Sequence, residues 1–421
     1  MTRLEQYLQD LQRFGIRPGL DRIRALLARV GNPERQYPIA LVGGTNGKGS
    51  TCEFLARLLA AEGRKVGLYT SPHLYRWNER IRVVNDECAA TSTELFAGAI
   101  SDAELDALFD EALPHIEAIA AEERFGQPTE FEVLTLLGFW HFAQQNVDAA
   151  VIEVGLGGRW DATNVCEPLV SVITHVALDH CDRLGNTHQE IARDKVGIAR
   201  AGRVLISAET KPEVLQVLEE QQRIANYDLR ITNYDPEADF QEINFQTALA
   251  AQRALYETLH WKTANRKSSI VNRKWNVPAR LEAIAHNPLV LLDGANNPDG
   301  AHALATQLQR ILATRPQARL ILVLGILADK DWATMTAVLA PLAHTVIATQ
   351  SHSPRAARAA LIAEAAKKHC RHVQTSTPVP AAVARAAKTA QPHDIICVTG
   401  SFYTVAEVER DQIAEHLTHP L

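Results

Sequence analysis

Apolar and polar positions along this chain alternate in blocks that predict a succession of strands and helices rather than one repeated element. Residues 2–30 carry Leu4, Leu8, Leu11, Leu20, Ile23, Leu26 and Leu27 at helical spacing, interrupted by Gly15 and Pro18, which predicts two short helices. A short apolar strand starting at Ile39 then runs into a glycine-rich turn. An amphipathic helix is expected over 52–62, closed by Gly63, and a strand over 65–70. Strand, glycine loop, helix, strand is the order of a parallel βαβ unit. Helices are expected over 101–125 (read as a surface helix) and 129–145, the second opened by a capping box of Thr129 and Glu132.

Further strands are read at Ala149–Val154, in the segment 169–185 and at 204–208, with helices at 188–200 and after Pro212. Residues 228–244 are acidic and poorly periodic, and an alanine-rich helix is placed from Asn244 to Leu259. A basic connection over 261–280 follows, read as a solvated linker, and the pattern restarts near Leu289 with alternating apolar strands and helices. The predicted fold class is therefore α/β: a P-loop-type, parallel-sheet N-terminal ATPase domain over 1–279 and a smaller, Rossmann-like α/β C-terminal domain over 280–421.

The chemistry concentrates where strands end. The turn GTNGKGS, residues 44–50, offers backbone N–H groups and Lys48 to a phosphate, because glycine permits the dihedrals and a helix N-terminus adds partial positive charge. It departs from the usual G-x-x-x-x-G-K-[ST] spacing: Val42 stands where the first glycine would be, and Gly49 follows the lysine. Glu153 ends an otherwise apolar strand, the position at which a carboxylate is placed to hold a magnesium ion on nucleotide phosphates or to form a salt bridge. Arg159 and Asp161 flank the next glycine turn, and His175, Asp179 and His180 gather after the following strand. Such a set suits phosphoryl transfer without identifying the acceptor.

Composition narrows the classes. A net charge of −6 over 421 residues argues against a nucleic-acid partner. The six cysteines show no paired metal-ligand spacing and read as small buried residues of a reducing compartment. The N-terminus lacks the apolar stretch of a signal peptide, and the longest apolar run, 320–327, is too short to span a bilayer. The expectation is a cytoplasmic enzyme, monomeric, with no membrane partner.

Taken together in order, GTNGKGS at 44–50, SPHL at 71–74, NERI at 78–81, TEFE at 129–132, EVGLGGRWDATN at 153–164, LDH at 178–180, LGNT at 184–187 and DKVGI at 194–198 closely resemble the folylpolyglutamate synthase and dihydrofolate synthase family of the Mur ligase superfamily. The resemblance implies an ATP-dependent amide ligase acting on dihydropteroate or a reduced folate and L-glutamate, with ATP and Mg²⁺ at two sites. By the same resemblance Gly47, Lys48, Gly49 and Ser50 form the phosphate loop. Ser71 and Glu153 hold one metal ion and His180 a second, and Lys195 matches the lysine that the family carbamylates. Asn244, Arg280 and Asp293 match nucleotide-binding positions, while Arg22, Ile23 and Phe131 fall in pteroate-binding segments.

Three departures stand out: DGANNP at 293–298 in place of the family's D-G-A-H-N-P, Pro278-Ala279-Arg280 in place of P-G-R, and the absence of the glycine and histidine-glutamine stretch before Asn244. The competing readings are another Mur-type ligase, such as a cell-wall enzyme, and a nucleotide-binding homologue with reduced catalysis.

Overall fold

The structure, a computed structural model, describes residues 2–11, 15, 17–90, 95–235, 237–262, 275–410 and 413. Most of the basic connection expected over 261–280, namely 263–274, lies outside the described residues. The chain divides into two compact units, Met1–Trp275 and Asn276–Leu421. Among the described residues, no helix is long and apolar enough to cross a membrane.

Among the described residues the first unit is built on seven strands: β1 (Ile39–Gly43), β2 (Val66–Tyr69), β3 (Ile81–Val84), β4 (Ala149–Glu153), β5 (Val170–Ile173), β6 (Val204–Ser207) and β7 (Asp228–Ile231). Their order is β3-β2-β4-β1-β5-β6-β7, with β3 antiparallel to β2 and every other pair parallel. Strands β1, β2, β4 and β5 are buried along their whole length, as a parallel sheet covered on both faces requires. Because β1 lies between β4 and β5, the chain leaves it to one side and later returns on the other. The C-terminal ends of these three strands therefore open onto the crevice where open α/β sheets bind ligands.

The helix Lys48–Ala61 starts four residues earlier than the apolar pattern placed it, because the lysine and glycine of the loop already form its first turn. It is buried almost all round. Glu53 on this helix receives Arg57 Nε at 2.6 Å and Arg82 Nη1 at 2.5 Å, tying the edge strand β3 to the helix through an ion triad sealed from water. Burial raises the Glu53 carboxyl, but the two guanidinium groups outweigh it and hold it at about 2. The expected cap of the helix Glu130–Gln144 is present, with Thr129 N–H donating to Glu132 Oε2 at 2.8 Å. The helix expected from Asn244 begins at Phe240, where Asp239 caps it by accepting from Gln241 and Glu242 N–H. The strand β7 and this first helical turn occupy the stretch read as poorly periodic.

The second unit carries β8 (Glu282–His286), β9 (Leu289–Leu292), β10 (Leu320–Leu324), β11 (Thr345–Ala348), β12 (His372–Thr375) and β13 (Ile395–Thr399), ordered β12-β11-β10-β13-β9-β8. Only β8 runs antiparallel, against β9. Its core gathers Leu291, Leu304, Leu308, Leu322, Leu324, Met335 and Ile362. Here β9 and β13 lie side by side, so the turns after Leu292 and Thr399 share one end of the sheet.

Candidate active site

The glycine loop after β1 is shaped by close approaches that no side chain could share. Gly44 has φ of +138°, and a Cβ there would fall 2.0 Å from Thr174 Oγ1. That hydroxyl lies 2.7 Å from Asn46 O, and Thr45 Oγ1 accepts Ala177 N–H at 3.0 Å, so the segment leaving β5 is stitched to the loop. Gly47 has φ of +90°, and its missing Cβ makes room for the Asn244 carboxamide. Asn244, expected to hold nucleotide, thus backs the loop itself. Lys48 Nζ donates to Thr45 O at 3.2 Å, folding the side chain over the turn. Gly47 at the N-cap of Lys48–Ala61 brings no side chain of its own to cap the helix, as suits a helix N-terminus that receives an anion. Ser50 is buried in that turn.

Strand register brings the acidic group to this loop. Val42 of β1 pairs with Glu153 of β4, so the carboxylate emerges beside the glycines. Glu153 is 3 % exposed, accepts Ser71 N–H at 2.9 Å, and lies in van der Waals range of a Cβ built on Gly49. Ser71 and Glu153 are therefore neighbours although 82 residues separate them. Lys195 arrives from the helix His188–Lys195 and donates from Nζ to Gly44 O at 2.9 Å. It is 3 % exposed. Burial, reinforced by the charge of Lys48, lowers its ammonium to about 7.

The turn 155–158 clamps Lys195 in place: Gly158 lies directly against the Lys195 backbone, and Arg159 N–H donates to Asp194 O at 3.0 Å. Asp161, buried and raised by that burial, accepts Leu156 N–H at 2.9 Å and Thr163 N–H at 3.0 Å, which holds the turn. His180 projects from the turn beyond β5 with φ of +51°, its ring 3.9 Å from Asp179 and about a third exposed.

The three residues of the pteroate-type segments are placed differently from one another. Phe131 packs its ring on Gly155, two residues after Glu153, and tilts against Tyr69. Arg22 donates to both Glu132 oxygens, at 3.0 and 2.8 Å, and to Phe125 O at 3.3 Å. Ile23 is wholly buried in the core. A second charged cluster was not anticipated in full: His175 Nε2 lies 2.9 Å from Lys211 Nζ, and buried Glu209 accepts Val176, Thr210 and Lys211 N–H. Glu209 follows β6 much as Glu153 ends β4, a signal legible in the sequence.

In the second unit, Asp293 follows β9 and accepts Leu281 N–H and Ala295 N–H, each at 2.8 Å. Burial raises its carboxyl against the pull of Arg280. The Arg280 guanidinium lies 4.5 Å from the centre of the Phe402 ring.

Comparison with known proteins turns this geometry into a family assignment. Residues 42–274 match the Mur ligase middle domain and 279–402 the Mur ligase, glutamate ligase domain. The dihydrofolate synthase/folylpolyglutamate synthase of Bacillus subtilis is 33% identical over 94% of this chain and 96% of its own length. The chain belongs to the dihydrofolate synthase/folylpolyglutamate synthase family of Mur ligases. Escherichia coli FolC, solved in complex with DHPP and ADP, superposes with a TM-score of 0.85 at 30% identity, covering 98% of each chain. The bifunctional enzyme of Yersinia pestis, solved with AMPPNP and Mn ion, gives 0.82 at 29% identity over 99% of each chain. One departure from the family pattern now has a local setting: Ala279, where family members commonly carry glycine, holds φ of +55°.

Proposed function

We propose that this member of the family joins L-glutamate to dihydropteroate, to tetrahydrofolates, or to both, with ATP as co-substrate. The family is one of ATP-dependent ligases, and the chain is such an enzyme. The observation that carries the reading is the convergence of Lys48, Glu153 and Lys195 on one glycine loop at the sheet's switch point. Retention and assembly of all three favour an active ligase over a binding homologue.

A carboxylate is a poor electrophile with a poor leaving group, so the ligase first activates it. The pterin substrate's carboxylate oxygen attacks the γ-phosphorus of ATP, forming an acyl phosphate as ADP leaves. The free amine of glutamate then attacks the acyl carbon, a C–N bond forms, the C–O bond to phosphate breaks, and inorganic phosphate departs with loss of the amine proton. Lys48 and the first-turn N–H groups orient the phosphates and oppose the charge gathering on the transferred oxygens.

Glu153 and Ser71 would hold a divalent cation, Mg²⁺ in this reading, with His180 near a second. Among the described residues no group of three or more His, Cys, Asp or Glu is arranged to hold a metal alone. That suits a hard cation bound through one or two protein oxygens plus phosphates and water. Bound there, it neutralises phosphate charge. Asn244, Arg280 and Asp293 bind the nucleotide, Phe131 and Arg22 lie in the pteroate-binding segments with Ile23 supporting them from the core, and a carbamylated Lys195 adds a carboxylate to the metal site. The domains divide as 1–279 and 280–421, and the enzyme works in the cytoplasm as a monomer.

The test is phosphate release from ATP with a divalent cation. Release that requires both dihydropteroate and L-glutamate supports the reading. Turnover with a UDP-muramyl acceptor instead, or ATP binding without turnover on any pterin, overturns it. Repeating the assay with tetrahydrofolate distinguishes single from dual activity.

A further inference from the structure

Arg280 is presented by an unusual piece of backbone. Its neighbours Ala279 and Leu281 both hold positive φ, +55° and +51°, a conformation that side chains disfavour and that persists only where the surroundings enforce it. The enforcement is visible. Ala279 N–H donates to Glu282 Oε2 at 2.9 Å, Gly294 N–H donates to Ala279 O at 2.8 Å, and Leu281 N–H donates to Asp293 Oδ2 at 2.8 Å. Glu282 is itself gripped by Arg410 at 2.6 and 2.8 Å.

These bonds fix the backbone, and the long Arg280 side chain runs beside Phe402, close enough to Asp293 for its charge to pull that carboxyl down. The Phe402 ring lies against Gly294, where an added Cβ would be 3.1 Å from the ring edge, and turns a face to the guanidinium at 4.5 Å. The ring comes from the first residue of the short helix Phe402–Ala406 that follows β13, and Asp293 from the end of β9, the strand beside it. We propose that Phe402 is a positioning residue for nucleotide binding: its π face holds the Arg280 guanidinium in the orientation that meets the nucleotide. The inference rests on the reading of Arg280 as a nucleotide ligand. A cation held over an aromatic face loses little on giving its edge N–H groups to an anion, so the ring limits the side chain's freedom without competing for its donors.

The experiment is steady-state kinetics of the full chain with dihydropteroate and glutamate, comparing Phe402→Leu, Phe402→Tyr, Arg280→Met and the double variant Phe402→Leu/Arg280→Met. Phe402→Leu is expected to raise the ATP KM about three- to tenfold, the range of a partly buried cation–π contact, with kcat changed by less than about twofold. Phe402→Tyr, which keeps the π face, restores the wild-type KM, and the double variant is no worse than Arg280→Met. Should Phe402→Leu fail to fold, Phe402→Met fills the space without a π face and takes its place. If Arg280→Met raises the KM while removal of the ring does not, or if the two effects simply multiply, the positioning role is refuted and the nucleotide reading of Arg280 survives. If Arg280→Met leaves the ATP KM unchanged, that reading falls, and the role of Phe402 with it.

Discussion

Replacing Lys195 by Met should stabilise the protein while abolishing its activity. The buried ammonium is held at about 7 against an ordinary 10.5, so below pH 7 folding carries a charged group that the interior disfavours by about 5 kcal/mol. Methionine of similar length removes that cost but leaves Gly44 O without its 2.9 Å donor, a loss of about 1–3 kcal/mol. The net expectation near pH 6 is a gain of about 2–4 kcal/mol. The sign follows from proton binding. Between pH 7 and 10.5 the unfolded lysine binds a proton that the folded one has lost, so wild-type stability rises with pH across this window relative to the variant. At pH 9.5 the penalty has shrunk to about 1 kcal/mol, and the variant's advantage should have vanished. Urea denaturation at intervals from pH 6 to 9.5, in bicarbonate-free buffer without nucleotide or metal, measures the gap. A gap independent of pH, or a variant less stable at pH 6, would refute the claim that burial governs Lys195.

Gly44→Ala introduces a Cβ onto Thr174 Oγ1 at a φ of +138°, so the loop must move; about 1–3 kcal/mol of strain and at least a tenfold rise in ATP KM are expected, measured by thermal melts and initial rates. Arg82→Met leaves Glu53 with Arg57 alone and should cost about 2–4 kcal/mol at pH 7. The stability that Glu53 contributes, about 3 kcal/mol, is present above pH 4.5 and lost as pH falls through about 2, so acid unfolding of this variant should depend less steeply on pH over that range. Arg22→Met should lower stability by about 2–4 kcal/mol by stranding buried Glu132, together with a higher dihydropteroate KM; a KM effect with undiminished stability would show that the pairing does not anchor Arg22.

The central strands were legible because parallel strands buried on both faces must be largely apolar, and β1, β4, β5, β10 and β13 are, apart from Ser171 within β5 and the closing residues Glu153 of β4 and Thr399 of β13. The strands that escaped notice, β3, β7, β8 and β12, are the four sheet edges. Three of them, β7, β8 and β12, face water along much of their length, and their polar sequences, DLRI, EAIAH and HVQT, carry no such signal. At the site, strand-end residues such as Glu153 could be found because an acid closing an apolar strand is conspicuous. Lys195 could be named only by resemblance, since a lysine late in a polar helix reads as solvated until the fold buries it. Phe402 left no trace in the sequence: its meeting with Arg280 depends on β9 and β13 lying side by side, which local pattern does not encode.

Dihydropteroate labelled with ¹⁸O in its carboxylate, incubated with the enzyme, ATP, a divalent cation and L-glutamate, tests the acyl-phosphate route most directly. Attack of the carboxylate oxygen on the γ-phosphorus requires one labelled oxygen to appear in each inorganic phosphate released. Phosphate released without label would mean that water, not the pterin carboxylate, takes the phosphoryl group, and would contradict the chemistry assigned to the loop at Gly44–Ser50.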